Sequence, residues 1–306
     1  MCSNSKSVKL CLFVNIQALY ITLEFFYKGE KVSERKVAFV TGASRGIGRA
    51  CAISLAQAGF DVAVSARTLT DGSARLDDGV TPVPGGLDTT VKKIIEAGQE
   101  GLAIEMDLMD RESVLNAADI AYDHFGRIDV HLNNAIYQGP GAMLTVKQLD
   151  DNHVKQLFEG IVFAQIALTR HLLPRFIQQG GATVINMISA TAFTNPPGKI
   201  GSGGWGVGYA MTKAAFERFA PLLMIEHGED GIVTYNIDPG HVVTERQKAK
   251  RKDKEYTAFP SAPPEAIGKA IAWLVQDPSA AEEHGGKIVN AQRETKRRNL
   301  LPGWPE

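Results

Sequence analysis

A chain of 306 residues, 44% hydrophobic and 22% charged, is long enough to bury one substantial core and shows no collagen-like or disordered bias. Its formal net charge of -1 supplies no general attraction for nucleic acid or an anionic membrane, and neither is expected as a partner. Cys2, Cys11 and Cys51 are odd in number and lack CxxC or metal-ligand spacing, which argues for a reducing, cytoplasmic setting over a disulfide framework.

In chain order, residues 1–34 read as an N-terminal extension distinct from the rest. Residues 10–27 are rich in Leu, Ile and Phe behind Lys6 and Lys9, but Asn15, Gln17 and Glu24 interrupt them and no small-residue cleavage site follows. A stretch of about 18 residues barely spans a bilayer. A surface-packed or loosely ordered extension is the preferred reading, with membrane attachment through residues 10–27 as the lesser alternative.

Residues 35–306 read as a single domain in which short apolar runs alternate with segments of helical period. Strands are predicted at 37–41, 62–65, 102–107, 130–133, 183–188, 232–237 and 287–289. Helices are predicted at 46–58, 90–97, 111–125, a long stretch ending near 178, 209–226 and 264–276, with a Gly/Pro/Asp-rich loop at 71–88. The strands are continuous Val/Ile/Ala runs rather than polar–apolar alternations, as double-sided burial requires. The expected fold is α/β: a doubly wound parallel sheet of the Rossmann type in three α/β/α layers.

Between the first strand and the first helix stands Thr41-Gly42-Ala43-Ser44-Arg45-Gly46-Ile47-Gly48. Its glycines let the chain turn sharply and approach a pyrophosphate closely, and the helix behind presents free N–H groups to that anion. With its Gly-x-x-x-Gly-x-Gly spacing, this sequence resembles the short-chain dehydrogenase/reductase superfamily. The resemblance runs from about Lys36 to Val289 and implies a nicotinamide cofactor. A fold of this kind that prefers NAD(H) usually ends its second strand on an Asp or Glu for the ribose hydroxyls. Here Val64-Ser65-Ala66-Arg67-Thr68 holds no carboxylate. Arg67 can bind a 2′-phosphate through a forked, charge-assisted contact, and Arg45 could flank the same group, so NADP(H) is expected over NAD(H). Asp107-Leu108 resembles the adenine-contacting pair of the family.

Tyr209-Ala210-Met211-Thr212-Lys213 puts a phenol and an ammonium on one helix face. A tyrosine of pKa about 10 is a poor acid–base near neutrality, and a nearby positive charge favours its phenolate. The strand at 183–188 delivers Ser189. The resemblance implies that Ser189 binds the substrate oxygen, Tyr209 transfers the proton, and Lys213 tunes Tyr209 and holds the nicotinamide ribose. Leu132-Asn133-Asn134-Ala135 resembles the family stretch that lines the cofactor, with Ile136 replacing its final glycine. The segment 236–244, with Pro239, Gly240, Val242 and Thr244, resembles the one that closes over the nicotinamide. No metal is implied.

Three departures stand out: the long interval from Ser189 to Tyr209, the bulk of Ile136, and Ile161 where many relatives carry an Asn of a water-linked proton relay. Isoleucine accepts no hydrogen bond. The expected function is hydride transfer between NADP(H) and a small carbonyl or alcohol substrate. The alternative is an NADP-binding scaffold or sensor with little turnover. Arg246, Lys248, Lys250, Arg251, Lys252 and Lys254 could attract an anionic substrate, but a solvated mobile helix is the simpler reading. The resemblance also implies a homodimer or homotetramer, with the apolar tail 300–304 packing on a neighbouring subunit.

Overall fold

The computed structural model describes residues 33, 35–76, 78–200, 202–250 and 261–305. The apolar stretch 10–27 and the part of the basic run from Arg251 to Lys254 lie outside the described residues, and Ser33–Glu306 forms one compact unit.

The elements follow in order as β1 (Val37–Thr41), α1 (Gly46–Gln57), β2 (Asp61–Ala66), β3 (Ala74–Arg75), β4 (Pro82–Val83), α2 (Leu87–Glu96), β5 (Gly101–Glu105), α3 (Arg111–Phe125) and β6 (Val130–Asn133). The second half comprises α4 (Asp151–Phe158), a π-helical turn (Glu159–Phe163), α5 (Ala164–Gln178), β7 (Ala182–Met187), a 3₁₀ turn (Ala190–Ala192), α6 (Val207–Glu217), α7 (Phe219–His227) and β8 (Ile232–Asp238). It closes with α8 (Glu245–Lys250), α9 (Pro264–Gln276), α10 (Pro278–His284), β9 (Ile288–Asn290) and α11 (Ala291–Arg297).

Seven parallel strands form one sheet in the order β5-β2-β1-β6-β7-β8-β9, and each predicted strand corresponds to one of them. Both faces are covered. Along β1, Ala38 and Val40 point into a core with Leu55 of α1 and Ile267 and Ile271 of α9. Val37 and Phe39, pointing the other way, meet Val114 of α3 and Leu168 and Phe176 of α5. All five residues of β1 are buried, which is why its sequence reads as an unbroken apolar run.

The departures from prediction have local causes. The predicted loop at 71–88 contains the small antiparallel pair β3–β4. The helix predicted over 209–226 breaks between α6 and α7, because Pro221 has no N–H for the carbonyl of Glu217 four residues back. Asn236 of β8 supplies the missing donor, its Nδ2 lying 2.8 Å from that oxygen. In the tail, Leu301 and Trp304 are partly buried against the core of their own chain. Arg297 and Arg298 are tied to Glu283 at 2.6 and 2.8 Å and to Glu294 at 2.7 and 3.3 Å, which fastens α11 to α10. Among the described residues, no helix is long and apolar enough to cross a membrane.

The close approach of α9 to α1 depends on Gly268. A Cβ there would lie 2.5 Å from Ser54 Oγ and 2.6 Å from the Ala50 carbonyl oxygen. Replacing Gly268 by Ala improves helix propensity by about 1 kcal/mol, but overpacking against backbone costs roughly 1–3 kcal/mol. Gly268→Ala is therefore expected to be net destabilising in urea unfolding monitored by circular dichroism, and equal or greater stability would show that α9 can shift freely.

Candidate active site

The carboxyl ends of the strands open into a cleft of about 260 Å³. Its position follows from topology: β2 leaves β1 on one side and β6 lies on the other, so the connections diverge above β1. The glycine turn forms one wall. Gly42 (φ 69°) and Gly46 (φ 58°) are left-handed, and a Cβ on Gly42 would come within 2.7 Å of Ala135 Cα. A Cβ on Gly48 would lie 2.4 Å from both Asn134 Nδ2 and the Gly42 oxygen. Helix α1 starts behind the turn with Arg45 as its N-cap and no side-chain cap, so its N-terminal amides face the cleft.

In the same cleft, α6 carries Tyr209 and Lys213 one turn apart. Lys213 is 1% exposed, and its Nζ donates to the carbonyl of Met187, the last residue of β7, at 2.6 Å. Desolvation pulls this ammonium down to about 7. Desolvation likewise pushes the Tyr209 phenol up to about 12, with Asp238 adding to the rise and a hydrogen bond from Ser189 opposing it. The expected lowering by Lys213 is not the dominant influence, because the ammonium is turned onto Met187 and sits 5.9 Å from the Tyr209 ring centre.

The family model described as short chain dehydrogenase matches residues 36–255. The chain belongs to the short-chain dehydrogenase family. A short chain dehydrogenase/reductase, astE, from Aspergillus oryzae is 30% identical over 252 residues, covering 79% of this chain and 88% of its own. Among solved structures, an alcohol dehydrogenase from Thermococcus sibiricus complexed with 5-hydroxy-NADP shares the fold at TM-score 0.65 and 22% identity, covering 83% of this chain and 95% of that one. An NADH-dependent reductase complexed with NAD does so at TM-score 0.64 and 21% identity, covering 83% and 94%.

Most of the short-chain dehydrogenase residues anticipated from the sequence line this one cleft. Gly42, Ser44, Arg45, Gly46, Ile47, Gly48, Arg67, Asp107, Leu108, Asn134 and Ala135 line it. So do Tyr209, Lys213, Pro239 and Thr244, the last packed close to Gly46. Gly240 and Val242 do not line it. Gly240 packs against Gln292, and Val242 bridges to Ala262, so both shape the loop that carries Thr244. Ser189 follows β7 and is not itself a lining residue of the cleft; it stands behind the lining as a hydrogen-bond partner of Tyr209. Arg45 is half-buried and held by a neighbouring loop, with Nε 2.8 Å from the Pro84 oxygen and Nη2 2.6 Å from the Gly85 oxygen. Asn134 is a brace, its Nδ2 donating to the carbonyls of Thr41 at 2.9 Å and Gly42 at 3.2 Å. The interval between Ser189 and Tyr209 packs on a neighbouring loop, with Gly206 close against the Ala142 carbonyl. Ile161 lies in the π-helical turn, fully buried in a cluster with Leu157, Ile188 and Phe216.

Two polar residues escaped the sequence reading. Gln165, one turn beyond Ile161, is 1% exposed and donates to the Ala135 carbonyl. Asp238, 5% exposed, accepts from the amides of Ala190 and Gly240, each at 3.1 Å, and from Asn290 Nδ2 at 3.3 Å. It thereby fixes the backbone after Ser189. The signal was a carboxylate directly before Pro239-Gly240, at the end of an apolar strand. Its negative charge disfavours the Tyr209 phenolate, so Asp238→Asn is expected to lower the Tyr209 pKa. Phenolate absorbance followed against pH, with Tyr209→Phe as reference, checks this; an unmoved titration would exclude Asp238 from the electrostatics of the phenol.

Proposed function

We propose that this chain moves a hydride between NADP(H) and a small carbonyl or alcohol substrate, with Ser189, Tyr209 and Lys213 as its acid–base set. The observation that supports the reading is that Tyr209, with Ser189 as its hydrogen-bond partner, and Lys213 share one cleft with the glycine turn and Arg67. The cradle suits a dinucleotide, since its wall is backbone wherever a Cβ would collide. In this reading the amides of Gly46–Gly48 and Thr244 hold the pyrophosphate, Asp107 and Leu108 the adenine, and Ala135, Tyr209 and Lys213 the nicotinamide ribose. A bound nicotinamide supplies or accepts the hydride.

Ser189 donates a hydrogen bond to the substrate oxygen, and Tyr209 gives that oxygen its proton in reduction or takes it in oxidation. A phenol near pKa 12 is protonated at neutral pH and ready to donate. Reduction should therefore hold through neutral pH, and alcohol oxidation should rise into the alkaline range as phenolate forms. Stopped-assay pH profiles in both directions read this directly, and oxidation falling with rising pH would contradict it.

Selection of NADP(H) rests on Arg67, exposed at the end of β2 beside Ala66 and Thr68 with no carboxylate there. The solved relatives hold either cofactor type, so likeness alone does not select between them. A hydrogen bond to a charged group contributes about 1.5–3 kcal/mol. Arg67→Ser should accordingly weaken NADPH binding roughly tenfold or more and leave NADH unchanged; equal losses for both would remove the 2′-phosphate from the account.

A second reading, a cofactor-binding scaffold with little turnover, draws on the apolar burial of Ile161 where many relatives place a relay Asn. NADPH oxidation against aldehydes, ketones and quinones separates the two. Turnover on one class supports the enzyme, whereas binding without turnover and no rescue by Ile161→Asn supports the scaffold.

A further inference from the structure

The phosphate-binding turn already holds an anion of the chain's own. Glu245, the first residue of α8, accepts a hydrogen bond from the Gly46 amide, with Oε2 2.8 Å from the nitrogen. Gly46 opens α1, a helix of 12 residues whose N-cap side chain makes no capping bond. The segment is seated closely: a Cβ on Gly46 would meet Thr244 Cγ2 at 3.0 Å and Glu245 Oε2 at 3.8 Å. The surrounding charge is basic. Burial holds the Arg45 guanidinium below its usual range; Glu245 opposes this, and the nearby positive charges of Arg246 and Arg67 add to the lowering. Thr244 and Arg246, the two neighbours of Glu245, both line the cleft.

A helix N-terminus attracts an anion through free amides and its dipole, and two anions compete for that one source of stabilisation. We propose that Glu245 is an affinity-determining residue of the cofactor site, an internal anion that binding of the dinucleotide pyrophosphate displaces from Gly46. The inference rests on the cofactor reading above. The carboxylate stabilises the ligand-free turn by satisfying a buried-facing amide and offsetting the arginines, and it sets a cost on cofactor entry. Because α8 packs against β4, its release is also felt by the β3–β4 pair.

The test is NADPH affinity, measured by fluorescence titration and by calorimetry on the full chain, for the wild type, Glu245→Gln and Glu245→Ala. Glutamine keeps the acceptor and removes the charge, while alanine removes both. Removing one charge at a helix terminus should tighten NADPH binding roughly two- to fivefold at low ionic strength, with a smaller gain in high salt. The NADPH-induced rise in Tm should be larger in both variants, which also establishes that they fold. Unchanged affinity in Glu245→Gln overturns the proposal. Weaker binding in Glu245→Ala overturns it as well, because it would make Glu245 a tether that holds α8 over the bound cofactor. Absence of NADPH binding by the wild type is a separate result, which overturns the cofactor reading itself.

Discussion

The ends of β1 and β6 are locked together by one buried hydroxyl and one side-chain amide, and the cleft depends on that lock. Thr41 Oγ1 donates to the Leu132 carbonyl at 3.1 Å and accepts from the amides of Asn134 and Ala135, each at 3.0 Å. Asn134 returns its own amide to the carbonyls of Thr41 and Gly42. The strand order reverses between these two strands, so holding their ends in register fixes where the crevice opens. It also brings Ala135 so near Gly42 that only backbone can stand between them. A wall without side chains is what lets amides, rather than side-chain tips, face an anionic ligand.

Charge is distributed along this crevice with compensations built in. Lys213 stays within the core because Met187 accepts from it, and its burial keeps it poised between charged and neutral near pH 7. Asp238 sits behind Ser189 with both oxygens bonded to donors, at the expense of disfavouring a phenolate on Tyr209. Glu245 offsets the nearby arginines. In each case a residue needed for the ligand-free structure shifts the proton or anion equilibrium that the proposed chemistry uses. Substrate and cofactor are thus expected to act on groups whose present partners hold them away from their reactive state.

The centre of the sheet was legible because its inner strands are buried on both faces, which leaves an unbroken apolar run such as Val37–Val40. The glycine turn was legible because a left-handed, closely packed backbone admits only glycine at positions 42 and 46. What the sequence hid depends on partners far along the chain. Arg45 could not be seen to turn onto Pro84 and Gly85, since those carbonyls belong to a loop with no helix or strand period. Asn134 read as a cofactor-lining residue, and its role as a brace needs the spatial adjacency of β1 and β6. Glu245 lies 199 residues from the amide it holds, and no local pattern encodes such a contact. The break after α6 was legible in principle from Pro221, but the donation by Asn236 that makes it tolerable was not.

The central claim is that Tyr209 is the proton-transfer group of a cleft that binds NADP(H) independently of it. The most direct measurement compares NADPH dissociation constant and carbonyl-reduction turnover in the wild type and Tyr209→Phe, using NADPH deuterated at the transferred position. The account predicts label in the product carbinol of the wild type, near-normal NADPH binding in the variant, and turnover reduced by about 10²-fold or more. Wild-type turnover in Tyr209→Phe, or product without the label, would contradict it.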